Sequence, residues 1–215
     1  DMATMLAVIT TDAAVEAPLL QKLLKQAADQ SFNRISVDGD TSTNDTVLLL
    51  ANGTSGMVIE GEEKIALFAN ALNDLTAELA RDIVRDGEGA SRLVELQVSG
   101  CRTGDEAHRV AETIATSMLV KTAIAGGDPN WGRILAAAGR SGVRFDPDRA
   151  ALHVRSQASQ PLLLFNGGIP QAFDKELAAA IFSSEELFIA LDLAQGDAST
   201  RMWTCDLTTD YVHIN

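Results

Sequence analysis

Hydrophobic residues recur along this chain with two periods, one helical and one alternating. The helical period is clearest between residues 62 and 85, where Ile65, Phe68, Leu72, Leu75, Leu79 and Ile83 follow one another at spacings of three and four. That spacing lines one side of an amphipathic helix of about six turns, suited to packing on a core. A second helix is expected from Glu16-Ala17-Pro18, with proline in its first turn. There Leu19, Leu20, Leu23, Leu24, Ala27 and Ala28 share one face, and Gln21, Lys22, Lys25 and Gln26 the other. A third, over about 106–119, opens after Gly104-Asp105 and turns Ala107, Val110, Ala111, Ile114 and Ala115 inward. Asp128-Pro129 reads as an N-cap followed by proline at the first helical position, starting a helix that runs to Ala138 and stops at Gly139. Two shorter helices are expected over 47–51 and 174–181.

Strand character marks residues 5–10, 32–37, 93–98, 150–154, 162–165, 186–193 and 202–206, with a turn at Asn166-Gly167-Gly168. The first of these strands begins at Thr4. No linker, repeat or low-complexity tract interrupts the order. The fold class expected is α/β (α+β), mixed sheets packed with helices, in one compact unit over 4–215 divisible into two lobes at about 4–140 and 141–215.

Composition narrows the function. The net charge is −13, with 30 acidic against 17 basic residues, and no Lys/Arg cluster offsets it. A phosphate backbone would find nothing to bind, so no nucleic-acid partner is expected. The longest apolar runs fall short of a membrane span, and no basic-then-apolar leader precedes the first strand. Cys101 and Cys205 are too few for a disulfide framework and read as reduced, buried thiols of a cytosolic protein. His108, His153 and His213 are scattered without metal-ligand spacing, so neither a metal nor an organic cofactor is expected. The chain does not open on an initiator methionine, which fits a piece of a processed precursor or a trimmed chain.

Candidate chemistry sits in four strings. Asp38-Gly39-Asp40-Thr41-Ser42-Thr43-Asn44-Asp45-Thr46 concentrates small hydroxyls and carboxylates. Ser42, Thr43, Asn44 or Asp45 can cap the helix expected over 47–51, which Asn52-Gly53 would close, or the string can buttress a neighbouring site by hydrogen bonds. Asp86-Gly87-Glu88-Gly89-Ala90 sets a carboxylate between two glycines at a helix-to-strand junction, where backbone turns sharply and can approach a ligand closely. Gly127-Asp128-Pro129-Asn130-Trp131-Gly132-Arg133-Ile134 puts Trp131 and Arg133 at a helix start, placed either to meet an anion or to pack in an Ala-rich interface. Tyr211-Val212-His213-Ile214-Asn215 is the fourth.

Together with Ala3-Thr4-Met5-Leu6, and in this order, these strings resemble the ornithine acetyltransferase (glutamate N-acetyltransferase) family over essentially the whole chain. The resemblance implies a self-cleaving N-terminal-nucleophile type of fold, shared with related aminopeptidases. It implies a precursor about twice as long that cuts itself at Ala3–Thr4, leaving residues 1–3 as a remnant of the α segment. Thr4 is then the catalytic nucleophile, carrying acetyl as an ester between N-acetylornithine and glutamate in arginine biosynthesis. Some members also take acetyl-CoA. Glu88 and Asn215 match the family's substrate-binding Glu and Asn, with Thr4 as a third contact. An α chain in a cytoplasmic α2β2 assembly is implied as partner. It would supply the oxyanion hole and a substrate-binding lysine, so this chain alone is expected to be inert. Two departures stand out: the chain stops at Asn215 where the family runs a few residues further, and His213 replaces a residue that is commonly lysine. Two rival readings remain, a self-cleaving aminopeptidase or amidohydrolase that gives the acyl group to water, and a non-catalytic half that acts only with its α partner.

Overall fold

The structure is a computed structural model that describes residues 5–215. Its strands are β1 (Leu6–Thr11), β2 (Ile35–Ser36), β3 (Thr46–Ala51), β4 (Leu93–Cys101), β5 (Ala151–Ser156), β6 (Leu162–Asn166), β7 (Ile169–Pro170), β8 (Glu186–Asp192) and β9 (Ala198–Cys205). Its helices are α1 (Ala17–Gln30), α2 (Glu62–Arg85), α3 (Gly104–Ala115), α4 (Met118–Ala125), α5 (Trp131–Arg140), α6 (Lys175–Phe182) and α7 (Thr209–Ile214). Among the described residues no helix is long and apolar enough to cross a membrane.

Two compact units emerge. The first runs from the start of the described chain to Ile35 and from Asp40 to Ile83; the second holds Ser36–Gly39 and Val84–Asn215. The division expected near 140/141 is therefore corrected. Strands on both sides of that point hydrogen-bond in one sheet, β4 pairing with β8 and β9, so no boundary can fall there.

In the first unit β1 and β3 form a parallel pair in the register Leu6↔Thr46 to Thr11↔Ala51. Ile9 and Leu49 point from one face into a core with Leu23 and Ala27 of α1 and Leu72 of α2. The 47–51 segment is thus a strand and not the expected helix. Its five aliphatic residues are too few for stable helical turns, and their alternation, Leu49 buried with Leu48 and Leu50 exposed, suits a pleat. Asp45 accordingly caps no helix. Its carboxylate accepts the Met5 N–H at 2.8 Å and the Ser42 hydroxyl at 2.6 Å, while the Thr46 N–H donates to the Met5 carbonyl at 2.9 Å. The result is a fixed entry into β1 through Met5.

The second unit is built on a seven-stranded mixed sheet in the order β2-β9-β4-β8-β5-β6-β7. Every second residue of the central strands faces the same way: Val94, Leu96 and Val98, Leu187, Ile189 and Leu191, Leu152 and Val154, and Met202. These are sealed beneath Val110, Ala111 and Ile114 of α3, Ile134 and Ala138 of α5, and Ile181 and Phe182 of α6. Each fully buried Leu, Ile or Phe there stabilises the unit by about 1.5–3 kcal/mol, so this face fixes the register of the sheet.

Helix boundaries shift from those expected wherever a better cap was available. Thr103 caps α3 by accepting the Glu106 N–H. Ser117 ends the run expected to reach 119 and caps a separate α4. Asn130, not Asp128, caps α5, which continues through Gly139 to Arg140. The 32–37 segment is a short 3₁₀ turn (Phe32–Arg34) leading into β2. Helix α7 was not expected at all.

Candidate functional site

The site is best built outward from Glu88. Helix α2 ends at Arg85, and the chain reverses through Asp86 and Gly87, closed by Gly87 N–H to Val84 O at 3.2 Å and Ala90 N–H to Gly87 O at 2.9 Å. Gly89 has φ +66°, and a Cβ there would lie 2.4 Å from the Tyr211 nitrogen and 2.9 Å from the Asp210 carbonyl carbon. Glycine is therefore required twice over, by conformation and by the seating of the first turn of α7 directly on its backbone. Glu88 is held at the crest of this turn, exposed to solvent.

Helix α7 brings the other candidate. Thr208 caps it by accepting the Asp210 N–H at 3.2 Å, and its hydroxyl donates to the Gly89 carbonyl at 2.6 Å. At the far end of the helix, the Asn215 amide donates to Glu88 Oε2 at 2.7 Å and to the Tyr211 carbonyl at 3.1 Å. The Tyr211 hydroxyl donates to Asp38 at 3.2 Å, so the first residue of the Asp/Thr/Ser-rich string also touches α7. Glu88 and Asn215, 127 residues apart, thus meet side chain to side chain. Thr4 and Ala3 lie outside the described residues.

Beneath this exposed pair is a buried polar base. Asp206 is 2% exposed and accepts the Ser91 N–H at 2.8 Å, the Ser91 hydroxyl, the Arg92 N–H at 3.0 Å and the Arg92 guanidinium at 3.1 Å. It ties the strand that leaves the Glu88 turn to the segment that enters α7. Lys121 of α4 is equally buried. Its ammonium donates to Thr204 Oγ1 at 2.9 Å and to the Cys205 carbonyl, with Cys205 Sγ at 3.5 Å. Desolvation pulls the Lys121 pKa below the ordinary 10.5, against the pull of Cys205, Asp206 and Asp38. Neither Lys121, Asp206 nor Thr208 was picked out from sequence. For Lys121 the available signal was a single charge in the otherwise apolar run Met118-Leu119-Val120-Lys121-Thr122-Ala123-Ile124-Ala125.

Both cysteines are free and buried, as expected. Burial is the main cause that raises each thiol above its ordinary 9.0. The native protein should consequently react with a thiol reagent at pH 8 at least ~10²-fold more slowly than free cysteine, because little thiolate forms and access needs local opening. Two thiols should titrate promptly once denaturant is added; fast labelling of either in the folded protein would contradict this burial. Among the described residues no group of three or more His, Cys, Asp or Glu side chains is placed to share a metal ion.

Chemically, an exposed carboxylate beside a primary amide suits a zwitterionic small molecule. The carboxylate can take an ammonium, and the amide can donate to a carboxylate.

The ArgJ family matches residues 1–215. The arginine biosynthesis bifunctional protein ArgJ of Symbiobacterium thermophilum is 46% identical over 217 residues, taking in all of this chain and 53% of that protein. The glutamate N-acetyltransferase of Methanopyrus kandleri is 46% identical over 215 residues, all of this chain and 55% of its own. The chain spans about half the length of the curated relatives it matches. A crystal structure of ArgJ from Bacillus halodurans superposes with a TM-score of 0.92 at 39% identity, covering 99% of both chains.

Proposed function

The chain belongs to the ArgJ family, and on that premise we propose that it is the nucleophile-bearing β half of an acetyltransferase of arginine biosynthesis. The reaction is transfer of acetyl from N-acetylornithine to glutamate through an ester on Thr4. Before processing, the Thr4 hydroxyl attacks the Ala3 carbonyl and the acyl chain moves from nitrogen to oxygen. That shift breaks the peptide C–N bond and frees the Thr4 amine; water then opens the ester, releasing the Ala3 carboxylate and restoring the Thr4 hydroxyl. With a pKa of about 7.7–8.0 for a free α-amine, the new terminus serves as general base at neutral pH. It takes the hydroxyl proton as Thr4 attacks the acetyl carbonyl of the donor; ornithine leaves, and the amine of glutamate then takes the acetyl from Thr4. Glu88 binds the donor's ammonium and Asn215 a substrate carboxylate.

The observation that most supports this reading is the 2.7 Å contact between Asn215 and Glu88, the two substrate-binding positions implied by resemblance. A partner α chain is supported by the bare face of the β1–β3 pair. Leu6 (74%), Val8 (64%), Leu48 (47%) and Leu50 (54%) are all exposed there, although parallel sheets are ordinarily covered on both faces.

The test uses processed enzyme with both halves, incubated with N-acetylornithine with and without glutamate. N-acetylglutamate should form only when glutamate is present. Acetate released at the same rate without glutamate would point to the hydrolase reading and overturn transfer. In the same assay Glu88→Ala should raise the KM for N-acetylornithine about 10- to 100-fold, the loss of one hydrogen bond to a charged group, far more than it affects self-cleavage. An unchanged KM would remove Glu88 from the site.

A further inference from the structure

We propose that Thr208 is a positioning residue for substrate binding: its hydroxyl latches α7 to the Glu88 turn and so sets where Glu88 and Asn215 stand. The proposal rests on the reading of those two residues as substrate contacts. Neither can hold its own place. Glu88 lies on an exposed turn, and Asn215 follows a six-residue helix in which no residue is buried and Val212 and Ile214 are 74% and 59% exposed. A helix of that length is not stable by itself, because nucleation costs more than one turn returns.

Thr208 stands at the junction of the two pieces and bonds to both. It donates to the carbonyl of Gly89, the residue after Glu88, and accepts the Asp210 N–H that opens α7. A hydroxyl can do both at once, and no aliphatic side chain can do either. The fit around it allows little play. Gly89 packs so closely on Asp210 and Tyr211 that α7 cannot slide along the turn without a backbone clash. Asp206, two residues upstream, fixes Ser91 and Arg92 on the far side of the same turn. The C-terminal segment therefore grips residues 89–92 at two points, and the Thr208 bond is the one nearest the substrate pair. Loss of that bond leaves α7 held through Asp206 and the Tyr211–Asp38 contact, and Asn215, about two turns beyond Thr208, moves most.

The experiment is a double-mutant cycle on the processed two-chain enzyme, with Thr208→Val, Thr208→Ser, Glu88→Ala and Thr208→Val/Glu88→Ala. Valine keeps the shape and removes both hydrogen bonds; serine keeps the bonds. Thr208→Val should raise the KM for N-acetylornithine about tenfold while kcat falls much less, and Thr208→Ser should return KM to within about twofold of wild type. Amide hydrogen exchange over residues 209–215 should accelerate in the valine variant and not in the serine variant. Because Thr208 acts through Glu88 and Asn215, the double variant should bind donor little worse than Glu88→Ala alone. A KM unmoved by valine while Glu88→Ala raises it would overturn the positioning role, as would fully additive effects. A KM unmoved by Glu88→Ala would instead overturn the substrate reading beneath it, and the proposal with it.

Discussion

Replacement of Thr4 by alanine is expected to leave the precursor as a single chain and to reduce acetyl transfer by at least ~10⁴-fold, the scale seen when a covalent nucleophile is removed. Both losses follow from one atom. The hydroxyl oxygen that would attack the Ala3 carbonyl is the oxygen that would later carry acetyl, and alanine has neither. Nor can the α-amine compensate, since without cleavage it remains an amide nitrogen with no basicity. Thr4→Ser separates the roles of shape and chemistry: it keeps the oxygen, so cleavage and transfer should both persist, more slowly. Intact mass of the purified full-length product shows whether one chain or two are present, and N-acetylglutamate formation reads turnover. Transfer near the wild-type rate in Thr4→Ala would end the nucleophile assignment. Cleavage in the same variant would place the cut elsewhere. The backbone N–H of Met5 is pinned by Asp45 at 2.8 Å and the Met5 side chain is buried, which gives β1 a rigid start.

What could be read from the sequence was whatever repeats over many residues. Helix α2 was legible because its apolar stripe recurs across 24 residues, and α1 because proline marks its first turn while the stripe marks its face. The central strands were legible from alternation. Short elements were not. The five aliphatic residues after Asp45 fit a helix turn or a strand equally well by pattern, and the choice was made by pairing with β1, forty residues away. Helix α7 was missed because its six residues carry no buried face, and only the Thr208 cap and the contact with Gly89 reveal why it forms.

The same division runs through the site. Glu88 could be singled out because glycines on both sides announce a sharp turn, and the structure forms a turn there with Glu88 exposed and Gly89 at φ +66°. Its partner could not be inferred from spacing, since 127 residues separate the two. The buried base escaped notice for a different reason. Asp206 is an ordinary letter in the sequence and Lys121 stands out only as one charge in an apolar run; burial is what makes both unusual. A charge inside a protein must be paired and hydrogen-bonded, and the residues that do this are set by the fold and not by neighbours in the chain.

That burial makes Asp206 the position where the largest loss of stability is expected. Asp206→Ala should cost ~3–5 kcal/mol, the range for breaking one side of a buried ion pair. The carboxylate accepts four hydrogen bonds. Its removal strands the N–H groups of Ser91 and Arg92 and leaves the Arg92 guanidinium, itself 17% exposed, without its anion. Alanine supplies no acceptor for any of the four bonds. For a chain of this size such a loss lowers Tm by on the order of 10 °C, and the urea midpoint should fall in proportion. Asp206→Asn keeps one acceptor oxygen in place, so it should lose less. A second substitution separates the pair from its desolvation cost: Asp206→Ala combined with Arg92→Met removes the stranded charge, and the double variant should be more stable than Asp206→Ala alone. A loss below about 1 kcal/mol in the single variant would show that the carboxylate is not the keystone of this base.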